Sequence, residues 1–148
     1  MLPANRRWLG LIIVVGALLR FVPIWFGLPY PQARPDEETA IGKALDALNG
    51  EPNPRFFHWP SLTIYLFAGV LRIASAIAAT AGEGRALTFT EQALVARALV
   101  ALAGTATLLV LFWLSRRVAG ERVALIATAF LAVAVLHVRE SHFAMTDV

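Results

Sequence analysis

Residues 98–114 read ALVALAGTATLLVLFWL, a run of 17 residues without a charged side chain. Arg97 precedes this run, and Arg116 and Arg117 follow it. A helix needs about 20 mainly apolar residues to cross a bilayer, and basic residues are typical of the ends of such spans. Because backbone polar groups inside a bilayer must be paired within the segment, the run predicts a transmembrane α-helix over residues 91–115.

The composition also indicates a membrane protein. Of the 148 residues, 58% are hydrophobic and 16% are charged, whereas soluble domains carry about 25% charged residues. The net charge is +3, but the arginines lie at the ends of apolar runs and form no basic face with interleaved aromatics, so no nucleic acid partner is predicted. The chain contains no cysteine, which excludes disulfides and thiolate metal sites.

Two further runs predict spans, and the pattern as a whole predicts an all-α, polytopic transmembrane protein. Residues 8–28 follow a basic start but lack a small-x-small cleavage site, which favours an uncleaved first span. Residues 121–138 form the last span, and residues 139–148 begin a second outer loop. Residues 29–90 form the first outer loop, with an amphipathic helix expected over 36–49.

The segment 60–81 leaves the topology open. It is apolar except for Arg72, and if it spans, the chain crosses four times and Arg72 lies near mid-bilayer, at a cost of about 2.5–3.5 kcal/mol. If it lies at the outer interface, the chain crosses three times. All five arginines that flank the spans then face the cytoplasm, as the positive-inside tendency favours. We prefer the second topology, with a cytoplasmic N-terminus and both acidic loops outside.

Three consecutive carboxylates, Asp36, Glu37 and Glu38, follow Pro35 just outside the first span. One interpretation is helix capping by Asp36, with acids in the first turn that suit the helix dipole. The other is a general base that takes a proton from an acceptor at the membrane surface. The amphipathic pattern places Ala40, Ile41 and Ala44 with two leucines on one face and predicts that Glu37 lies elsewhere.

The remaining polar candidates each have a structural and a functional interpretation. Asp147 is either a solvated carboxylate or a second acid, and His58 is either an interfacial residue or a ligand. His58 and His142 with a carboxylate are a weak candidate for a metal site. Arg20, Arg72 and Arg97 are either snorkelling side chains or donors to an anionic lipid phosphate. The sequence shows no Gly-rich phosphate loop, so a lipid donor is favoured over a nucleotide.

The order of three motifs resembles a known family. Pro35-Asp36-Glu37 is followed by residues 53–62, NPRFFHWPSL, and then by residues 141–147, SHFAMTD. This order is similar to the start of glycosyltransferase family 39, which includes dolichyl-phosphate-mannose protein mannosyltransferases and lipid A aminoarabinose transferases. These belong to the GT-C class of multi-spanning enzymes. Trp59 departs from the second proline of many relatives, and His142 from an arginine that is common in mannosyltransferases.

The resemblance implies roles for individual residues. Asp36 matches the first-loop catalytic acid, Glu37 its acidic neighbour, and Asp147 the second-loop acid. His58 matches a position near the donor phosphate, or near a divalent metal ion in some members, and no other cofactor is expected. Arg20, Arg97 and His142 are candidates for substrate binding.

The expected function is transfer of a sugar from a polyprenyl-phosphate carrier to a protein, lipid or glycan acceptor on the outer face of the cell membrane. Membrane lipids and the lipid-linked donor are the expected partners. The chain matches only the N-terminal part of family members, so we expect a fragment that is inactive alone. The alternatives are a non-enzymatic membrane protein, such as a transporter or assembly subunit, and a gene remnant.

Overall fold

The computed structural model describes residues 3–30, 35–51, 53–56, 58–80 and 85–145, and these are helical with no β-strand among them. The helices are α1 (Pro3–Phe21), α2 (Pro35–Leu48), α3 (Ser61–Thr80), α4 (Phe89–Ala119), α5 (Glu121–Val133) and α6 (Val135–Glu140), and a 3₁₀ turn (Val22–Trp25) follows α1. Three stretches are long and apolar enough to cross a membrane, namely Asn5–Trp25, Ser61–Thr80 and Phe89–Ala119. The predicted all-α membrane class is confirmed.

Small residues bring α1, α4 and α5 into close contact. An ideal Cβ on Gly16 would lie 2.5 Å from Leu108 Cδ1 and 3.4 Å from Ala132 Cβ. Arg20, four residues after Gly16 on α1, lies against Gly104, which is four residues before Leu108 on α4. The two helices therefore run antiparallel, and close backbone approach at glycine is how helices commonly pack in membranes.

The helices α2 and α3 pack on the beginning of α4. Their shared core contains Ile41 of α2, Ile64 and Phe67 of α3, and Ala93 and Val100 of α4. The second half of α3 lines a cavity with the residues that begin α4, including Ala74, Ile77, Leu87, Glu91 and Leu94. The helix α3 therefore lies alongside residues 87–100 of α4, while α1 contacts the later part of α4.

Helix boundaries follow from proline chemistry. The predicted amphipathic helix over 36–49 is present as Pro35–Leu48, and the predicted 60–81 helix as Ser61–Thr80. Asp36 consequently lies within the first turn of α2 and is not its N-cap. The predicted span 8–28 is α-helical only to Phe21, because Pro23 lacks the N–H that the next helical turn requires.

The predicted last span, residues 121–138, is interrupted at Ala134, whose φ of −61° and ψ of 112° separate α5 from α6. The break removes the regular helical donors, four residues further on, from the Leu131 and Ala132 carbonyls, and the Leu131 oxygen accepts only the Ala134 N–H, at 3.3 Å, from the backbone. The Arg20 guanidinium replaces them: Nη2 donates to the Leu131 oxygen at 3.2 Å and Nη1 to the Ala132 oxygen at 3.1 Å. A cation at a helix C-terminus is also favoured by the helix dipole.

Replacing Gly104 by alanine is expected to destabilise this packing. The new methyl group would collide with Ser141 Oγ and lie 3.3 Å from Arg20 Nε, and both side chains are fully buried. We expect a loss of about 1–3 kcal/mol, the usual cost of overpacking, measured as a lower unfolding temperature in detergent. Gly69→Ala on α3, with nothing within 4 Å of the new Cβ, is the matched control and should not lower it.

Candidate functional site

A buried ion pair joins α2 to α4. Arg97 Nε donates to Glu37 Oε1 at 2.7 Å and Nη2 donates to Oε2 at 2.5 Å. The side chains of Arg97 and Glu37 are 1% and 2% exposed. The two parallel hydrogen bonds form the forked geometry in which arginine binds a carboxylate most strongly.

The same pair holds two further segments. Arg97 Nη1 donates to the carbonyl oxygens of Ile24, at 2.5 Å, and Phe26, at 2.9 Å, just after α1. The Ala144 N–H donates to Glu37 Oε1 at 2.7 Å, and the Arg97 guanidinium lies 5.4 Å from the centroid of the Phe143 ring. The pair therefore connects the ends of α1 and α6 to the beginning of α2 and α4.

Asp36, next to Glu37, has the opposite environment. It is exposed, and it has no hydrogen-bond or ion-pair partner among the residues that the structure describes. Successive residues of a helix point about 100° apart, so a turn that buries Glu37 directs Asp36 outward. The structure thus separates two adjacent carboxylates into one that is occupied in holding the fold and one that is free to react.

Arg20 belongs to a second polar cluster, deeper between the helices. Its side chain is fully buried, and besides capping α5 its Nη2 lies 2.9 Å from His137 Nδ1. Because arginine only donates, His137 Nδ1 must be the acceptor, so this imidazole is neutral with its proton on Nε2. Arg20 Nε is buried without a partner.

His142 links the segment after α6 back to α1. Its Nε2 lies 2.8 Å from the carbonyl oxygen of Leu19. That oxygen has no helical donor, because the residue four positions later is Pro23. Since a carbonyl oxygen only accepts, Nε2 of His142 carries a proton, and in the neutral ring Nδ1 is left as an acceptor.

Other predicted site residues are not joined to these clusters. His58 is exposed and its ring lies 5.1 Å from that of Phe56, in the loop between α2 and α3. Asp147 lies outside the described residues. In the described part of the chain, no group of three or more metal-binding side chains occurs, so the predicted divalent metal ion remains a prediction without support from geometry.

The burial of Arg20, Arg97 and Glu37 shows that two interpretations of the sequence are wrong. Arg20 and Arg97 are not snorkelling side chains, because their guanidinium groups bind carbonyl and carboxylate oxygens inside the protein. Glu37 lies on the buried face of α2, not elsewhere. The signal was present: Ala40, Ile41 and Ala44 stand three, four and seven residues after Glu37, which places all four on one face.

Comparisons with family models, curated proteins and solved structures found no match to this chain. The chemical interpretation therefore depends on the residues themselves. The first turn of α2 carries two exposed carboxylates, Asp36 and Glu38, that have no partner among the described residues, and the nearby arginine is neutralised by Glu37.

Breaking the buried pair on one side should destabilise the protein strongly. Glu37→Gln leaves the Arg97 charge buried without its counter-charge, which typically costs 3–5 kcal/mol. We expect a large fall in the unfolding temperature and faster proteolysis within α2.

The control is Lys43→Gln, which removes the partly exposed pair of Lys43 and Asp46 on the same helix. Pairs of that kind contribute at most about 1 kcal/mol. Equal losses for the two variants would contradict the assignment of the buried pair as the main link.

Proposed function

We propose that this chain forms the N-terminal part of a membrane glycosyltransferase that moves a sugar from a polyprenyl-phosphate carrier to an acceptor on the outer face. Asp36 is the general base in this proposal. The observation that carries it is the contrast between Asp36, which is exposed and has no partner among the described residues, and Glu37, whose carboxylate binds Arg97. A base must have a free lone pair within reach of substrate and a fixed position. Asp36 and Glu38 both meet these requirements, and the resemblance of Pro35-Asp36-Glu37 to the family motif selects Asp36.

The position of Asp36 relative to the membrane supports a lipid-linked donor. Arg97 binds Glu37, the residue that follows Asp36, and Arg97 directly precedes the apolar run 98–114. The first turn of α2 is thereby held near the boundary of that run, at the depth where a lipid phosphate would lie. A sugar attached to such a phosphate would then be presented at the membrane surface.

The proposed reaction is a single displacement. The Asp36 carboxylate takes the proton of an acceptor hydroxyl or amine as that group attacks the anomeric carbon of the sugar. The bond between this carbon and the phosphate oxygen breaks, and polyprenyl phosphate leaves with the bonding electrons. Nδ1 of His142 is available to accept a hydrogen bond from a substrate, because Nε2 is bound to Leu19.

The structure changes the proposed roles of three residues. Glu37 acts as a positioning residue, since both its oxygens accept hydrogen bonds inside the protein. Every guanidinium nitrogen of Arg20 and Arg97 hydrogen-bonds to the protein, apart from Arg20 Nε, which is buried without a partner among the described residues. Stabilisation of the leaving phosphate therefore falls to other groups.

A three-span topology with the acidic loops outside accompanies this function. The helix α3 lies alongside residues 87–100 of α4, whereas α1 lies alongside the later part of α4. Because α3 is itself long and apolar enough to cross a membrane, its place at the outer interface in this proposal rests on the distribution of charge. The five arginines that flank the spans then share the cytoplasmic side.

A transporter is the alternative from another class, and the break between α5 and α6 is the observation in its favour. Transporters often bind ions at the unwound carbonyls of discontinuous helices. Here the Leu131 and Ala132 carbonyls already accept from Arg20. They are thus occupied by a fixed cation, and the break fits a structural role better than an ion site.

Asp36→Asn, introduced into the native gene, should reduce sugar transfer in source membranes by about 10²–10⁴-fold, the usual contribution of a general base. The unfolding temperature should stay unchanged because the side chain has no partner. Transfer is followed as release of radiolabelled sugar from its polyprenyl-phosphate carrier. Glu38→Gln, which removes an equally exposed acid in the same turn, should retain activity; transfer at the wild-type rate by Asp36→Asn would refute the assignment.

The topology is testable by cysteine labelling, since the chain has no native cysteine. Asn49→Cys, before α3, and Thr80→Cys, at its last residue, introduce cysteines at exposed positions. With α3 at the outer interface, both should react with a membrane-impermeant maleimide in intact cells, or in spheroplasts where an outer membrane blocks access. Labelling of only one of the two before lysis would show that α3 crosses the membrane.

A further inference from the structure

An apolar groove runs between α1 and α5, on the opposite end of α1 from Asp36. It has a volume of about 330 Å³. Its lining consists of Trp8, Leu11, Ile12 and Val15 of α1 with Ala129, Ala132 and Val133 of α5. Four of these seven residues are exposed, so the groove opens to the outside of the bundle, along a stretch of α1 that is long and apolar enough to cross a membrane.

Five arginines collect beyond one end of this groove. Gly16 of α1 faces both Ala132 of α5 and Leu108 of α4. Arg6 lies ten residues before Gly16 on α1, and Arg122 lies ten residues before Ala132 on α5. Ten helical residues extend about 15 Å, and the two helices run parallel, so both arginines lie at the same end. Because α4 runs the other way, the basic pair that follows its apolar run comes to the same end. The arginines are Arg6, Arg7, Arg116, Arg117 and Arg122, with Glu121 as the one acid beside them.

Two of these arginines, Arg6 and Arg7, come directly before the first residue of the groove lining. Arg6 and Arg7 are exposed, and neither has a hydrogen-bond or ion-pair partner among the described residues. Arg7 directly precedes Trp8, the first residue of the groove lining. Tryptophan is enriched at the interface between membrane and water, and forked guanidinium donors match a phosphate group.

We propose that this groove binds one acyl chain of an anionic phospholipid, whose headgroup phosphate contacts Arg6 and Arg7. The apolar lining matches the chain, and the excess of arginine over acid at the mouth matches a headgroup with net negative charge. A zwitterionic headgroup would bring a cation into the same field and bind less well. Basic pockets between membrane helices on the cytoplasmic side commonly bind anionic headgroups in this way.

The size of the groove distinguishes a lipid chain from a further helix. The lining extends from Trp8 to Val15, about 10.5 Å along α1. A helix about 10 Å across would fill roughly 800 Å³ over that length, more than the approximately 620 Å³ of empty space that the groove holds up to the surfaces of its lining atoms. An acyl chain is narrower and adapts to the shape of the groove.

The test is native mass spectrometry of the purified protein in detergent with equal amounts of phosphatidylglycerol and phosphatidylcholine. We expect at least fivefold more phosphatidylglycerol than phosphatidylcholine retained. Ala129→Phe fills the groove and should reduce the retained lipid at least fivefold. Ala106→Phe, an exposed alanine of α4 that does not line the groove, should leave it unchanged.

The headgroup contact is tested separately. The double variant Arg6→Gln/Arg7→Gln should lose the preference for phosphatidylglycerol, whereas Arg72→Gln, an exposed arginine of α3, should keep it. Equal retention of both lipids by the wild type, or full retention by Ala129→Phe, would overturn the proposal. An unchanged preference in the double variant would overturn it as well. None of these outcomes depends on sugar transfer.

Discussion

The buried pair of Arg97 and Glu37 is the interaction that fixes how the ends of α1 and α6 meet the beginnings of α2 and α4. Burying both charges costs desolvation free energy, which is offset only when the two groups are well aligned and further hydrogen bonds satisfy them. Here the remaining donors and acceptors bind the backbone after α1 and α6. A half-formed contact would leave a charge buried, so the four segments come together in one register or not at all.

This constraint also explains how an exposed acid can be held in place without contacts of its own. The backbone of α2 is fixed by Glu37 at its first turn and by the apolar residues Ile41 and Ala44 further along. The backbone of Asp36 is fixed with the rest of this turn, while its carboxylate stays exposed to solvent. Rigid support with a free functional group is the arrangement that catalysis on a bound substrate requires.

Deeper in the bundle, Arg20 supplies hydrogen-bond donors to the carbonyl groups at the end of α5. A helix break inside an apolar environment leaves carbonyl groups without donors, and each such group is costly where water is excluded. The guanidinium supplies those donors and adds a positive charge at the end of α5. Gly104 permits this, since any larger residue would occupy the space of Arg20 and Ser141.

The sequence by itself determined the helices and their membrane character, because hydropathy, proline positions and helical periodicity are local properties. It also indicated which residues are candidates for chemistry, since Pro35-Asp36-Glu37 is a polar motif in an apolar chain. Only the tertiary structure decided which acid is buried and paired, because the partner of Glu37 lies 60 residues away in sequence. It likewise decided the break at Ala134, where the sequence has no proline or glycine to predict one. The carbonyl groups at the break accept hydrogen bonds from Arg20, which lies on another helix.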